Sequence, residues 1–433
     1  MEPFFGCLDC STIRRVITRT ICALGLALLS GLVAPETPRA ADALLDLLAQ
    51  ADIRSSLDAI KADEGRLERD QIRLCQIPAP PFHEAARAQA MRSAFEQAGL
   101  SNVRLDRAGN VLGDRPGVAR KPHIVVAAHL DTVFPEGTDV RVMSTGTRLK
   151  GPGIGDNCRG LAVMLSIVRA LARGRVQLRG SITFVADVGE EGLGDLRGVR
   201  ELFGVTLKGQ VDQFIAIDGA GLFLTTGSVG SHRYRVTFAG PGGHSYAAFG
   251  APNPIQAMGR VITKISQLQV PGQPKTTFSV GRVGGGTSIN AIPSECWMEV
   301  DLRSTSAAEL AALTAKFDEA VDAGVRDENA RWSSAERVTV RKDLVGDRPA
   351  GRTPDSSVIV QTARRVSRAL GLSLAENESS TDANIPMMLG IPAVTIGAGG
   401  VGAGQHTAGE TFDTAGAWQG TQYALLLTIA LGR

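Results

Sequence analysis

Five stretches of the chain carry residues with the means to do chemistry. Each stands directly after an apolar run or a glycine-rich loop. His129-Leu-Asp131 follows a run of alanine, valine and isoleucine, and Glu190-Glu191 follows Asp187-Val-Gly. Asp218 opens Asp218-Gly-Ala-Gly, His406 comes after Gly397-Ala-Gly-Gly, and Asp156 follows the loop Gly151-Pro-Gly-Ile-Gly155. Two histidines with several carboxylates and no thiolate suit zinc, or manganese or cobalt in its place. Taken singly these signals are weak. A histidine after a strand is usually a packing or surface residue, a Glu-Glu pair is most often a solvated surface, and an aspartate at a strand end commonly forms a turn. Their weight lies in five independent segments ending alike.

The elements that must position these residues read as an α/β domain. Apolar runs at 123–129, 181–187, 213–218 and 392–396 alternate with helical patterns, which predicts a mostly parallel sheet buried on both faces and flanked by helices. Helices are expected over 57–74, 84–98, 160–172 and 357–370. In open α/β sheets ligands bind outside the carboxyl ends of the strands. That rule converges His129, Asp131, Asp156, Glu190, Glu191, Asp218 and His406 on one edge.

Between about 227 and 344 the texture changes. Alternating strands at 233–239, 276–283, 295–303 and 337–342 surround helices at 254–268 and 307–323. A β-α-β-β-α-β order predicts a small α+β, ferredoxin-like domain inserted into the first. The expected organisation is therefore a signal peptide over 1–41, a catalytic domain in two parts, 42–226 and 345–433, and an inserted lid and dimerisation domain over 227–344.

The stretches AAHLDTV, GPGIGDNCRG, DVGEEGLG, AIDGAG, GPGGHSYA, GGTSINAIP, EVDLR and GQHTAGE occur in that order over about residues 50–425. As a set they resemble the co-catalytic zinc exopeptidase and aminoacylase family, which includes peptidase T, carnosine dipeptidases, glutamate carboxypeptidases and succinyl-diaminopimelate desuccinylase. The resemblance implies two divalent metal ions, zinc by preference. His129 and Asp218 would bind one and Glu191 and His406 the other, with Asp156 bridging both. Asp131 would hold the His129 ring by a hydrogen bond, and Glu190 would be the general base. His244 would reach the site of a partner subunit in a homodimer formed through the lid, and Asn290 and Arg303 would contact substrate. The implied activity is hydrolysis of a peptide or other amide bond, in a tripeptide aminopeptidase-like branch. An N-acyl amino acid deacylase or a glutamate carboxypeptidase-like amidohydrolase is the alternative, and a non-catalytic binding protein on the same scaffold a remote one. One departure follows the bridging aspartate: Asn157-Cys158-Arg159 stands where many relatives carry another acid or a lysine.

Composition excludes some partners. The chain has 433 residues, enough for two ordinary domains, and its 46 basic and 44 acidic side chains nearly cancel. Such balance gives no electrostatic case for nucleic acid or an acidic membrane surface. Arg14, Arg15 and Arg19 precede a short apolar run that ends at Pro35, followed by small residues at Ala40, Ala41 and Ala43. This is the pattern of an export signal, periplasmic or secretory, and the run is too short for a stable membrane span. Three of the six cysteines lie in this leader, and Cys75, Cys158 and Cys296 read as buried small hydrophobes.

Overall fold

The computed structural model describes residues 38–433. The expected export signal lies outside the described residues except for its last four, which begin the helix Pro38–Ala49. Among the described residues no helix is long and apolar enough to cross a membrane.

The main sheet runs from edge to edge through Ser101–Leu105, Val111–Arg115, Ser181–Asp187, His123–His129, Gln213–Ile217, Ala393–Ile396, Phe223–Ser228 and Gly351–Arg352. The four strands from Ser181–Asp187 to Ala393–Ile396 are parallel, while those flanking them pair antiparallel. The sheet is therefore mixed, where the sequence predicts a mostly parallel one. Continuous apolar runs mark only the four doubly covered central strands. The edge strand Ser101–Leu105 is half exposed and carries no such run.

Alternation decides which face each central residue serves. Ile124, Val126 and Ala128 join one core with Ile182, Phe184, Ile215 and Val394. Val125 and Ala127 join the opposite core with Val185, Phe214 and Ala393. The helix Cys158–Arg173 lies against the first face and buries 13 of its 16 residues, leaving only Arg169, Ala172 and Arg173 outside the core. The helix expected over 57–74 is two, Ala51–Ala62 and Glu64–Cys75, joined at Asp63.

A second sheet of four strands has the order Thr276–Gly285, Glu295–Ser304, Gly230–Ala239, Thr339–Arg348, with every pair antiparallel. Helices Pro254–Ser266 and Ala307–Arg331 share a separate core with it, which includes Val236, Phe238, Val261, Met298 and Phe317. The chain enters by Gly230–Ala239 and leaves by Thr339–Arg348, which runs four residues past the expected boundary at 344.

Candidate metal centre

The parallel strands bring their ends together in register. His129, the last residue of its strand, pairs with Asp187, the last of the next. Asp218 follows directly on Gln213–Ile217, and its N–H donates to the Ile396 carbonyl (3.0 Å). Asp156 precedes the helix Cys158–Arg173, whose first turn is capped by Asn157 accepting from Gly160 N–H (3.1 Å). Gly160 is required there: a Cβ would stand 2.1 Å from the Asn157 Oδ1 and 2.5 Å from the Ile217 carbonyl oxygen.

His406 arrives from farther along the chain. It occupies a left-handed conformation (φ 63°) between the short strands Val401–Ala403 and Thr411–Asp413. The second of these pairs with Arg148–Lys150, just before the Asp156 loop. Glu410 completes the tie. Its carboxylate accepts from the N–H groups of Gly153 (2.9 Å), Gly155 (2.8 Å) and Asp156 (3.1 Å). Burial raises the Glu410 carboxyl to about 7 against these hydrogen bonds.

The result is two sets of donors that share Asp156. His129 Nε2 lies 3.0 Å from Asp156 Oδ1 and 3.4 Å from Asp218 Oδ1. His406 Nε2 lies 3.0 Å from the other oxygen, Asp156 Oδ2, and 3.2 Å from Glu191 Oε1. Gln405 Nε2 also donates to Asp156 Oδ2 (2.5 Å). His129, Asp156 and Glu191 each offer a donor atom within 4.8 Å of the others. Metal bonds of about 2.0–2.2 Å place neighbouring donors roughly 3.0–3.4 Å apart around a four- to six-coordinate ion.

Charge points the same way. Burial disfavours the anions of Glu191 and Asp218, and the nearby Asp156 charge adds to the rise of both. Hydrogen bonds from His129 and His406 overcome burial at Asp156 and hold its carboxyl far below the usual range. Hydrogen bonds to Asp156 and Glu191 raise His406 to about 10. Three carboxylates, those of Asp156 and Glu191 buried and that of Asp218 partly so, face two imidazoles and carry an excess of negative charge that a divalent cation relieves. The site thus fits a divalent metal.

The two acidic residues beside the donors differ in role. Asp131 is fully buried, and its carboxylate accepts from the N–H groups of Glu190 (3.0 Å) and Glu191 (2.8 Å). The His129 Nδ1 meets the backbone oxygen of Asp131 at 3.0 Å, whereas the carboxylate is 3.6 Å away. The sequence expectation has Asp131 holding the ring by a hydrogen bond, and that bond is made by its backbone oxygen and not by its carboxylate. Because the ends of the two strands lie side by side, that carboxylate meets the Glu190-Glu191 turn instead. Among the described residues no hydrogen bond or ion pair joins Glu190 to either histidine, and its Oε1 accepts from Arg348 Nη1 (2.9 Å). Burial pushes Glu190 up to about 8, with the Arg348 charge opposing.

The other expected site residues stand apart: Arg303 is on the second sheet, whereas His244 is on the short strand Gly243–His244, which pairs with Ala291–Ile292 directly after Asn290. His244 is exposed, and its Nδ1 accepts from the N–H of Tyr246 (3.2 Å) and, more weakly, Ala247 (3.4 Å). Asn290 is exposed beside it, since its carbonyl accepts from Ser245 N–H (2.9 Å). Arg303 donates to Asp301 (2.6 Å) and lines a cavity of about 470 Å³ with Lys275, Thr277 and Ser380. Among the described residues no hydrogen bond or ion pair joins these three to the metal donors. Another cavity of about 470 Å³, near Arg104, Lys121 and His123, opens at the amino ends of the strands, away from the donors.

The Asn157-Cys158-Arg159 departure has structural occupants. Asn157 caps the helix and donates to Ile217 O (2.8 Å), Cys158 is buried, and Arg159 pairs with Glu64 (2.9 Å). Sequence reasoning missed Glu410 and Arg348. Glu410 lies four residues beyond His406 inside GQHTAGE, a spacing that signals it, whereas Arg348 lies outside every motif.

Comparison with known proteins agrees with this geometry. The chain is 24% identical over 340 residues to succinyl-diaminopimelate desuccinylase of Corynebacterium glutamicum, covering 76% of this chain and 86% of that one. Its fold is similar to a tripeptidase from Staphylococcus aureus (TM-score 0.71, 22% identity, 85% of this chain and 98% of that one). It is also similar to aminopeptidase PepT from Bacillus cereus (TM-score 0.68, 20% identity, 86% and 99%). The profile of Peptidase family M20/M25/M40 matches residues 125–429, a span that contains every donor described above. The chain therefore belongs to that family and is a metallopeptidase or amidohydrolase.

Proposed function

We propose that the protein is a two-metal exopeptidase that hydrolyses a terminal amide bond of short peptides, in a tripeptide aminopeptidase-like branch. One observation carries the reading: Asp156 presents one oxygen to each of two histidine–carboxylate sets, with Glu190 buried beside them and engaged by neither. His129, Asp218 and Asp156 would hold one ion, and His406, Glu191 and Asp156 the other, zinc being the ion that best suits these donors. When bound, such ions supply Lewis acidity toward a water and the scissile carbonyl. Glu190 takes the proton of the attacking water and delivers it to the leaving nitrogen. Asp131 holds the Glu190-Glu191 turn by its two amide hydrogen bonds, which aims base and ligand together. The glycine loop before Asp156 and the glycine run before His406 support the aminopeptidase branch.

We also propose that the second sheet serves as lid and dimerisation surface. Tyr246, Phe249 and Ile289 are largely exposed around His244 and Asn290, an apolar tip that a partner subunit would cover. His244 would then stabilise the oxyanion in the partner's site, with Asn290 and Arg303 on the substrate.

A second reading, N-acyl amino acid deacylase, is favoured by the likeness to succinyl-diaminopimelate desuccinylase. Metal-reconstituted protein assayed on unblocked di- and tripeptides beside N-acyl amino acids separates the two. Release of the amino-terminal residue from tripeptides is expected. Turnover of N-acyl amino acids with no cleavage of any unblocked peptide selects the deacylase.

A further inference from the structure

Arg348 is the last residue of Thr339–Arg348, where the chain leaves the second sheet and returns to the first. Three residues on, Gly351–Arg352 already pairs with Phe223–Ser228. The Arg348 side chain is 4% exposed and turns toward the metal centre. Its Nη1 donates to Glu190 Oε1 (2.9 Å) and to Ser380 Oγ (3.1 Å), and its Nη2 donates to the backbone carbonyl of Glu190. One guanidinium therefore grips both the carboxylate and the main chain of a single residue. The adjoining loop is held by the same sheet. Asp347 N–H donates to Asp195 Oδ1 (2.9 Å), and Arg233 Nη1 donates to Gly192 O (2.8 Å).

We infer that Arg348 is a positioning residue for the hydrolytic step: it fixes the Glu190 carboxylate in one place and makes that place depend on the strand joining the two sheets. The inference rests on the reading of Glu190 as the base. A glutamate side chain has three rotatable bonds, and a base must stand within hydrogen-bond reach of the proton it takes. Asp131 fixes the Glu190 backbone amide but nothing beyond it. Among the described residues Arg348 makes the ion pair to the Glu190 carboxylate. Both partners are buried, so removing the arginine leaves the Glu190 carboxyl without its partner and free to turn elsewhere. Misplacement of a reacting group by about 1 Å costs on the order of a hundredfold in rate.

The test uses the full chain loaded with metal and whichever substrate, unblocked tripeptide or N-acyl amino acid, the panel above shows to be cleaved. Arg348→Lys should keep its metal content and circular dichroism, with kcat lowered about tenfold and KM within about twofold. Arg348→Ala should lose roughly a hundredfold in kcat and recover part of it on addition of guanidinium ion. In a Glu190→Gln background, Arg348→Ala should cost no further kcat, because the two act as a unit. Wild-type kcat in both Arg348 variants, a loss carried by KM alone, or a full additional loss in the Glu190→Gln background overturns the positioning role while leaving the base in place. Near-normal turnover by Glu190→Gln itself overturns the base, and with it the role of Arg348.

Discussion

At the scale of single residues, Asp156 organises the centre, because each of its oxygens faces a different histidine at 3.0 Å. The two histidines are not equivalent. His129 is buried at the end of a core strand, whereas His406 is about half exposed on a hairpin. His406→Ala should therefore lower metal content from two ions toward about one per chain while leaving the fold intact, as elemental analysis of dialysed protein would reveal. Glu190→Ala should retain both ions and lose about 10²–10⁴-fold in kcat, since the base is absent but the donors are not. A variant that kept near-normal turnover would reject the base. The five candidate donors stand out in the sequence because each follows a strand or loop of recognisable pattern. The partner of the Asp131 carboxylate does not, because it depends on the register between two strands whose paired residues are 58 apart in the chain.

At the scale of elements, the start of Cys158–Arg173 is the tightest joint. A methyl group at Gly160 would collide with its cap and with the Ile217 carbonyl beside Asp218. Gly160→Ala should cost about 2–4 kcal/mol by denaturant unfolding, as overpacking adds to a lost cap, and should weaken metal binding because Asp156 and Asp218 flank the joint. A second joint ties the two helices of the smaller sheet. The Glu328 carboxylate accepts from Arg260 (2.9 Å), Trp332 (3.0 Å) and Asn253 N–H (3.1 Å). Burial opposes its ionisation, but these hydrogen bonds prevail and lower it below its ordinary value of 4.5. The stability it contributes is present above pH 4.5 and lost as pH falls through the depressed folded value. Glu328→Gln should thus cost about 1–3 kcal/mol at pH 7, with the gap to wild type closing in acid melts. The helix Ala307–Arg331 runs past its expected end at 323, and in its last two turns Val325 joins the core while Glu328 makes these bonds.

At the scale of the whole molecule, the question is what covers the apolar tip at Tyr246, Phe249 and Ile289. If His244 serves a partner's site, neither His244→Ala nor Glu190→Ala should be active alone. Mixed and allowed to exchange subunits, they should recover about a quarter of wild-type sites, since half the dimers are hybrids with one intact site each. No recovery after exchange, or a fully active monomer by sedimentation, would count against action across a dimer.

The residue order by itself determined the core strands and singled out the candidate donors at their ends. A strand buried on both faces must be a continuous apolar run, and a ligand at its end must follow that run at once. The family follows from the same motifs, all of which lie within the matched residues 125–429. Only the tertiary structure decided that the sheet is mixed, that Asp131 holds the Glu190-Glu191 turn, that Glu410 cradles the Asp156 loop, and that Arg348 reaches Glu190 from 158 residues away. Each of these is a contact between segments distant in the chain. Local pattern records whether a side chain is to be buried, while the partner it meets there is set by strand order and register.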